Sequence, residues 1–156
     1  MKKFIRLFFC IQMVLALLFA SACSGGSKSC EEALYGICAE MKLPAGQTYL
    51  SGAEEGSDKY LSEDTINTLY GERAYGELFP LIEEYAIYIS SFAEPYEAAV
   101  FKCRSRSDTD LIAEMCFART DILKVILRDT EFAELVQEAR VSVKGKLVFM
   151  IIGGEC

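Results

Sequence analysis

Histidine and tryptophan are both absent from the 156 residues, and proline occurs only three times. The missing histidine excludes Ser-His-Asp and Cys-His catalysis and removes the commonest general base and transition-metal ligand. Carboxylates, Lys, Tyr and Cys remain as reactive groups. Positive charge is also scarce: 16 Lys and Arg stand against 23 Asp and Glu, for a net charge of −7. Phosphate backbones repel such a chain, so no nucleic-acid partner is expected. None of the seven cysteines forms a CxxC pair. A thioredoxin-like site or a zinc ribbon is therefore unsupported.

The one long apolar run covers residues 7–20, with Gln12 inside it. It is shorter than the ~20 residues of a membrane span. Lys2, Lys3 and Arg6 precede it, and Ala20, Ser21, Ala22 and Cys23 follow. A positive start, an apolar middle and a small-residue end make a three-part export signal. Small residues let the extended backbone enter a peptidase groove. A Cys directly after them marks the lipoprotein form, in which the thiol takes a diacylglyceryl group and the chain is cut before it. The pattern resembles the lipobox, with Ala20 where Leu is usual. Residues 1–22 are therefore expected to be a signal peptide, and Cys23 the lipid-carrying first residue of the mature chain. An uncleaved span and a plain secretory signal are the competing readings. Two or three acyl chains, palmitate among them, hold a protein stably where one alone is marginal. Ser24, Gly25, Gly26, Ser27, Lys28 and Ser29 then form a flexible tether. The expected location is the outer side of the cell membrane.

Residues 30–156 suffice for a single domain with a core. Loss of Lys2, Lys3 and Arg6 leaves 13 cations against 23 anions, a net charge of −10. Anionic headgroups should repel such a domain, so only the acyl chains are expected to touch the membrane. Cys30, Cys38, Cys103, Cys116 and Cys156 remain in the domain. Disulfides are permitted outside the cytoplasm, and an odd number leaves at least one thiol free or paired with another chain. Cys103 and Cys116 are expected on core faces as small hydrophobes, and Cys156 at an exposed end.

The spacing predicts a helix over 30–41, capped by Ser29, with Ala33, Leu34, Ile37, Cys38 and Met41 on one face. Residues 44–60 are expected to be irregular. Ser62 caps a short helix over 63–70 that Gly71 ends. Residues 72–83 are ambiguous around Pro80. Strands are expected at 84–91 and 96–104 and should form a hairpin. The clearest helix covers 108–128, with Ser107 as its cap. Its apolar face carries Leu111, Ile112, Met115, Cys116, Ile122, Leu123, Ile126 and Leu127. A shorter helix over 131–138 follows, then a second hairpin of 140–144 and 146–152 turning at Gly145. The expected class is α+β. An antiparallel sheet of about four strands, in two hairpins, carries a long amphipathic helix on one face, with short N-terminal helices besides.

Leu69-Tyr70-Gly71, Glu84-Tyr-Ala-Ile-Tyr-Ile-Ser and Lys144-Gly145-Lys146-Leu147-Val148 carry a family resemblance. They resemble the small lipoproteins of Gram-positive gut anaerobes that bear a domain of unknown function. The resemblance covers most of residues 61–152. It implies a lipid anchor and an α+β domain, and it implies no catalytic or ligand residue.

Arg119 falls within the apolar arc of the long helix. A guanidinium there must find a partner, Glu84 or Glu97, or reach out to water. Asp108 and Asp110 form an Asp-x-Asp that could bind a divalent cation, although acids in a first helical turn are common for dipole reasons. Glu54, Glu55 and Asp58 are a weaker calcium candidate. Glu83 and Glu84 are adjacent on a strand, where side chains diverge, so a glycosidase pair is a poor reading. Tyr49, Tyr60, Tyr70, Tyr75, Phe79 and Tyr96 lie in or near loops and suit either a binding surface or core filling.

No catalytic residue, metal ligand or cofactor is assigned by these patterns. The expected function is a membrane-anchored extracytoplasmic lipoprotein acting as a binding or accessory module. Its partners would be the membrane, through Cys23, and an unidentified protein or cell-envelope component. The alternatives are an extracytoplasmic hydrolase using carboxylates or a Cys, and a dimer linked through Cys156.

Overall fold

The computed structural model describes residues 29–71, 76–90 and 94–153. Cys23, the residues before it, most of the tether, Tyr75 and Cys156 lie outside that set. In chain order the elements are α1 (Cys30–Glu40), β1 (Gly46–Leu50), α2 (Glu63–Ile66), β2 (Ile82–Ser90), β3 (Glu97–Cys103), α3 (Thr109–Leu127), α4 (Ala133–Gln137), β4 (Arg140–Lys144) and β5 (Leu147–Ile152). The five strands form one antiparallel sheet in the order β1-β2-β3-β5-β4. The α+β class and both hairpins are present. Gly145, at φ 64°, turns the second hairpin.

Two details differ from the sequence expectation. The sheet has five strands rather than four, because residues 46–50 form an edge strand within the stretch expected to be irregular. Gly46 pairs with Ser90 and Leu50 with Ala86. The loop after β1 folds back on its outer edge: Leu50 N donates to Lys59 O, and Gln47 Nε2 to Asp58 O. That supplies partners for an edge otherwise left unpaired.

Both sheet faces are also covered, not one. α3, with Val136 of α4 and the turn of Ile66 and Tyr70, packs on Ile87, Ala99, Phe101, Val148, Met150 and Ile152. α1 packs Cys30, Leu34, Ile37 and Met41 on Ala86, Tyr88, Ala98 and Val100. Double coverage explains why β3 is buried along nearly its whole length and why residues 147–152 are continuously apolar. Each fully buried Leu, Ile or Met contributes about 2 kcal/mol.

Ser29 Oγ accepts from Glu32 N and caps α1, as its sequence position predicts. Ser62 Oγ does the same for Thr65 N. The chain beyond α2 then widens into a π-helical turn, Asn67–Gly71, and a 3-10 turn, Gly76–Leu81, takes in Pro80. α3 starts differently from expectation. Ser105, not Ser107, forms a capping box with Asp108 on the 3-10 turn leading into the helix. The face of α3 is also rotated. Ile112, Met115 and Cys116 are buried as expected, joined by Thr109, Ala113 and Thr120, while Leu111 and Ile126 are exposed. The long apolar residues at the margin of the arc are left outside.

Candidate functional site: a buried Tyr-Glu-Arg group and an open cleft

Glu97 opens β3 with its side chain toward α3, because residues 97, 99, 101 and 103 alternate onto that face. It is only 3 % exposed. A carboxylate there is tolerable only if it is paired and hydrogen-bonded. Arg119 of α3 supplies the charge: its Nη2 and Nε lie 2.9 and 3.2 Å from Glu97 Oε2. Tyr70, in the π-helical turn, donates its phenol to Oε1. Both carboxylate oxygens are therefore engaged. Burial works against the Arg119 charge, and the Glu97 carboxylate overcomes it, so the guanidinium is held above its ordinary value. Burial and then the Glu97 charge push the Tyr70 phenol well up. The buried-pair reading of Arg119 holds, with Glu97 as the partner. Tyr70, one of the aromatics suited to core filling, is in the core, and its bond to Glu97 is the part that the sequence pattern does not carry.

Glu84 is on the opposite face of the sheet, against the start of α1. Its Oε1 accepts from Cys30 N at 2.8 Å, and its backbone oxygen from Cys30 Sγ at 3.4 Å. The register shifts between Ile82 and Glu84, a bulge that turns Ile82 toward the α3 core. Glu83 is there ion-paired with Lys102 at 2.9 Å. Asp108 accepts from Ser105 N at 3.1 Å and serves the helix start. Glu84, Glu97 and Asp108 thus hold three separate stations.

The thiols are pushed toward inertness. Burial, helped by the Glu84 charge, raises Cys30 to about 12. Burial raises Cys103 to about 11, and it raises Cys116 and Cys38 as well. Cys103 and Cys116 are wholly buried in the α3 core, as expected. These four cysteines are unpaired thiols.

Most of the loop aromatics turn inward. Tyr70 is core, Tyr49 and Phe79 pack beside it, and Tyr96 packs on the α1 side. In the loop after β1, Glu54 and Asp58 act through backbone oxygens that accept from Ser57 and Gln47. Among the described residues no group of three or more Cys, Asp or Glu side chains is placed to hold a metal ion.

An open cleft of about 430 Å3 lies where α1 begins, bordered by Ser29, Glu31, Ser51, Lys59, Glu84 and Tyr85. A Lys59–Glu31 ion pair of 2.9 Å flanks it. Its lining residues are mostly polar, with Leu50, Ala53 and Tyr85 as the apolar side chains, and it is open to solvent.

Comparison with protein-family models, curated proteins and solved structures gave no match to this chain. Among the described residues no helix is long and apolar enough to cross a membrane.

Proposed function

We propose that this chain is an extracytoplasmic lipoprotein, anchored through Cys23 and carrying a binding or accessory domain. The observation that carries the reading is the order of residues 2–23: three cations, an apolar run, then Ala20-Ser21-Ala22-Cys23. The capped start of α1 at Ser29 supports it, since a short Gly/Ser segment separates it from Cys23. The family resemblance of residues 61–152 points the same way.

Binding is favoured over hydrolysis by how the reactive groups are used. A carboxylate hydrolase needs two acids converging on one bond. Glu97 and Glu84 lie on opposite faces of the sheet, and each is held by a structural partner. A cysteine nucleophile needs a depressed pKa, and burial moves these thiols the other way. The open cleft beside the start of α1 would be where a partner segment could rest.

Cells fed a labelled fatty acid test the anchor. The protein should take up the label and sediment with membranes, and the Cys23→Ala variant should do neither. Equal behaviour of the two proteins would sink the proposal.

A further inference from the structure

We infer that β4 is an open sheet edge that pairs antiparallel with β4 of a second copy of this chain, about a two-fold axis at Val141. The choice of a second copy as the partner rests on the lipid-anchor reading.

The sheet has two edges, β1 and β4. The loop after β1 covers the first, through Lys59 O and Asp58 O. The state of the second follows from the ladder. Cys103 N donates to Lys146 O, so residues 146, 148 and 150 turn their main-chain groups toward β3. Residues 147, 149 and 151 then face β4, where their partners are Lys144, Ser142 and Arg140. That leaves Val141 and Val143 with N–H and C=O directed away from the sheet. Among the described residues no hydrogen bond outside the ladder reaches the main chain of either valine. Ser142 and Val143 are exposed, Val143 by 45 %. Such an edge is a template for one more strand.

Two observations select a second copy and its register. Antiparallel strands of identical chains are related by a two-fold axis perpendicular to the sheet. That rotation leaves both copies of α1 on the same face of the joined sheet, because α1 covers one face only. The tether ends at the start of α1, so both Cys23 lipids can enter one membrane. The charges then choose where the axis falls. An axis at Ser142 would set Arg140 opposite Lys144 of the second copy, twice, and like charges directly opposite are destabilising. An axis at Val141 sets Arg140 opposite Ser142 and brings Lys144 to the exposed Glu138 of the second copy. In that register the two Val141 residues exchange N–H and C=O, and each Val143 N–H meets Ala139 O across the axis. Lys146 and Glu134 fall outside the paired residues. Both copies are negative overall, but screening confines each charge to a radius of about 8 Å at physiological salt. Anchoring in one bilayer also raises the effective concentration, so a short strand pair suffices.

The test holds the mature Cys23→Ser chain on phosphatidylcholine vesicles by an N-terminal hexahistidine tag and a nickel-chelating lipid, so native lipidation plays no part. Energy transfer between donor-labelled and acceptor-labelled copies should rise with surface density to the level of a dimer. Val143→Pro removes an outward N–H, and proline is tolerated on an exposed edge. Its circular dichroism should match the parent, and dimerisation should weaken at least about tenfold, since two bonds are lost per pair. Lys144→Glu should weaken dimerisation as well, and Glu138→Lys/Lys144→Glu should restore it. Amide exchange at Val141 and Val143 should slow as density rises, while Ser142 and Lys144, bonded to β5, are slow throughout. Should Val143→Pro unfold the chain, the charge swap and the exchange pattern decide. Energy transfer no greater than random proximity at every density would overturn the inference and leave the edge to a strand of another protein. Tighter pairing of Lys144→Glu would overturn it too, because it would place the axis at Ser142. Dimers on tagged vesicles from a chain that carries no lipid in the cell would leave this pairing standing and remove the anchor.

Discussion

Glu97 ties together parts of the chain that are far apart in sequence. It joins three elements through two oxygens: the π-helical turn by Tyr70, the sheet by its own backbone, and α3 by Arg119. Glu97→Gln should destabilise the fold by about 3 kcal/mol, because it leaves the Arg119 charge buried without its counter-ion. Tyr70→Phe should cost about 1 to 2 kcal/mol for the lost hydrogen bond to a charged acceptor. Removing both charges in Glu97→Gln/Arg119→Met should cost less than Glu97→Gln alone. Urea denaturation measures all three, and a double variant no better than the single would contradict the buried-charge argument. Arg119 was legible in the sequence because a cation interrupts an apolar 3.6-residue pattern. Tyr70 was not, since nothing local ties a phenol in a short turn to a carboxylate 27 positions on. The buried thiols and Tyr70 give a pH signature. Their native pKa values are raised, so the unfolded chain loses protons first as pH rises. Their contribution is intact below the ordinary thiol value of 9.0 and is lost as pH climbs through the native value of about 12 for Cys30. The urea midpoint should therefore fall across that range. A flat midpoint would show these groups to be less buried than described.

At the scale of elements, amphipathic periodicity was readable and edges were not. The 30–41 and 108–128 patterns became α1 and α3 within a residue or two, and both hairpins formed where alternation and short connections placed them. β1 escaped because Gly-Gln-Thr-Tyr-Leu is short, lies between Pro44 and an acidic loop, and is an edge strand whose pairing comes from β2 alone. The second covered face escaped for a related reason. The apolar stripe of α1 was visible, but the partner of that stripe is the far side of a sheet that only tertiary structure defines. α3 shows that an apolar arc fixes a face only to within part of a turn. The buried seam is Thr109, Ile112, Ala113, Met115, Cys116 and Thr120, leaving Leu111, Val125 and Ile126 to solvent. Gly46 tests β1. A Cβ added there would stand 2.5 Å from Ile89 O and 2.6 Å from the Tyr88 ring. Gly46→Ala should cost about 1 to 3 kcal/mol and speed amide exchange in residues 46–50 before the rest of the sheet. Unchanged exchange there would mean that β1 is not closely paired.

For the whole molecule, charge and attachment point to one arrangement. In the proposed reading, the signal pattern, the Gly/Ser segment and the capped start of α1 follow in sequence, and the open cleft lies beside the start of α1. The domain's strong negative charge suggested, in sequence, a globule held away from the headgroups. The site chemistry was legible mainly as exclusions, and those come from the missing histidine. The cleft was not legible, since its walls come from three segments far apart in the chain. All of this depends on Cys23. Mass spectrometry of the N-terminal peptide from the membrane-extracted protein tests it most directly. The account predicts a peptide that begins at Cys23 and carries the mass of a diacylglyceryl thioether. An intact N-terminus with residues 1–22 in place and a free Cys23 thiol would contradict it.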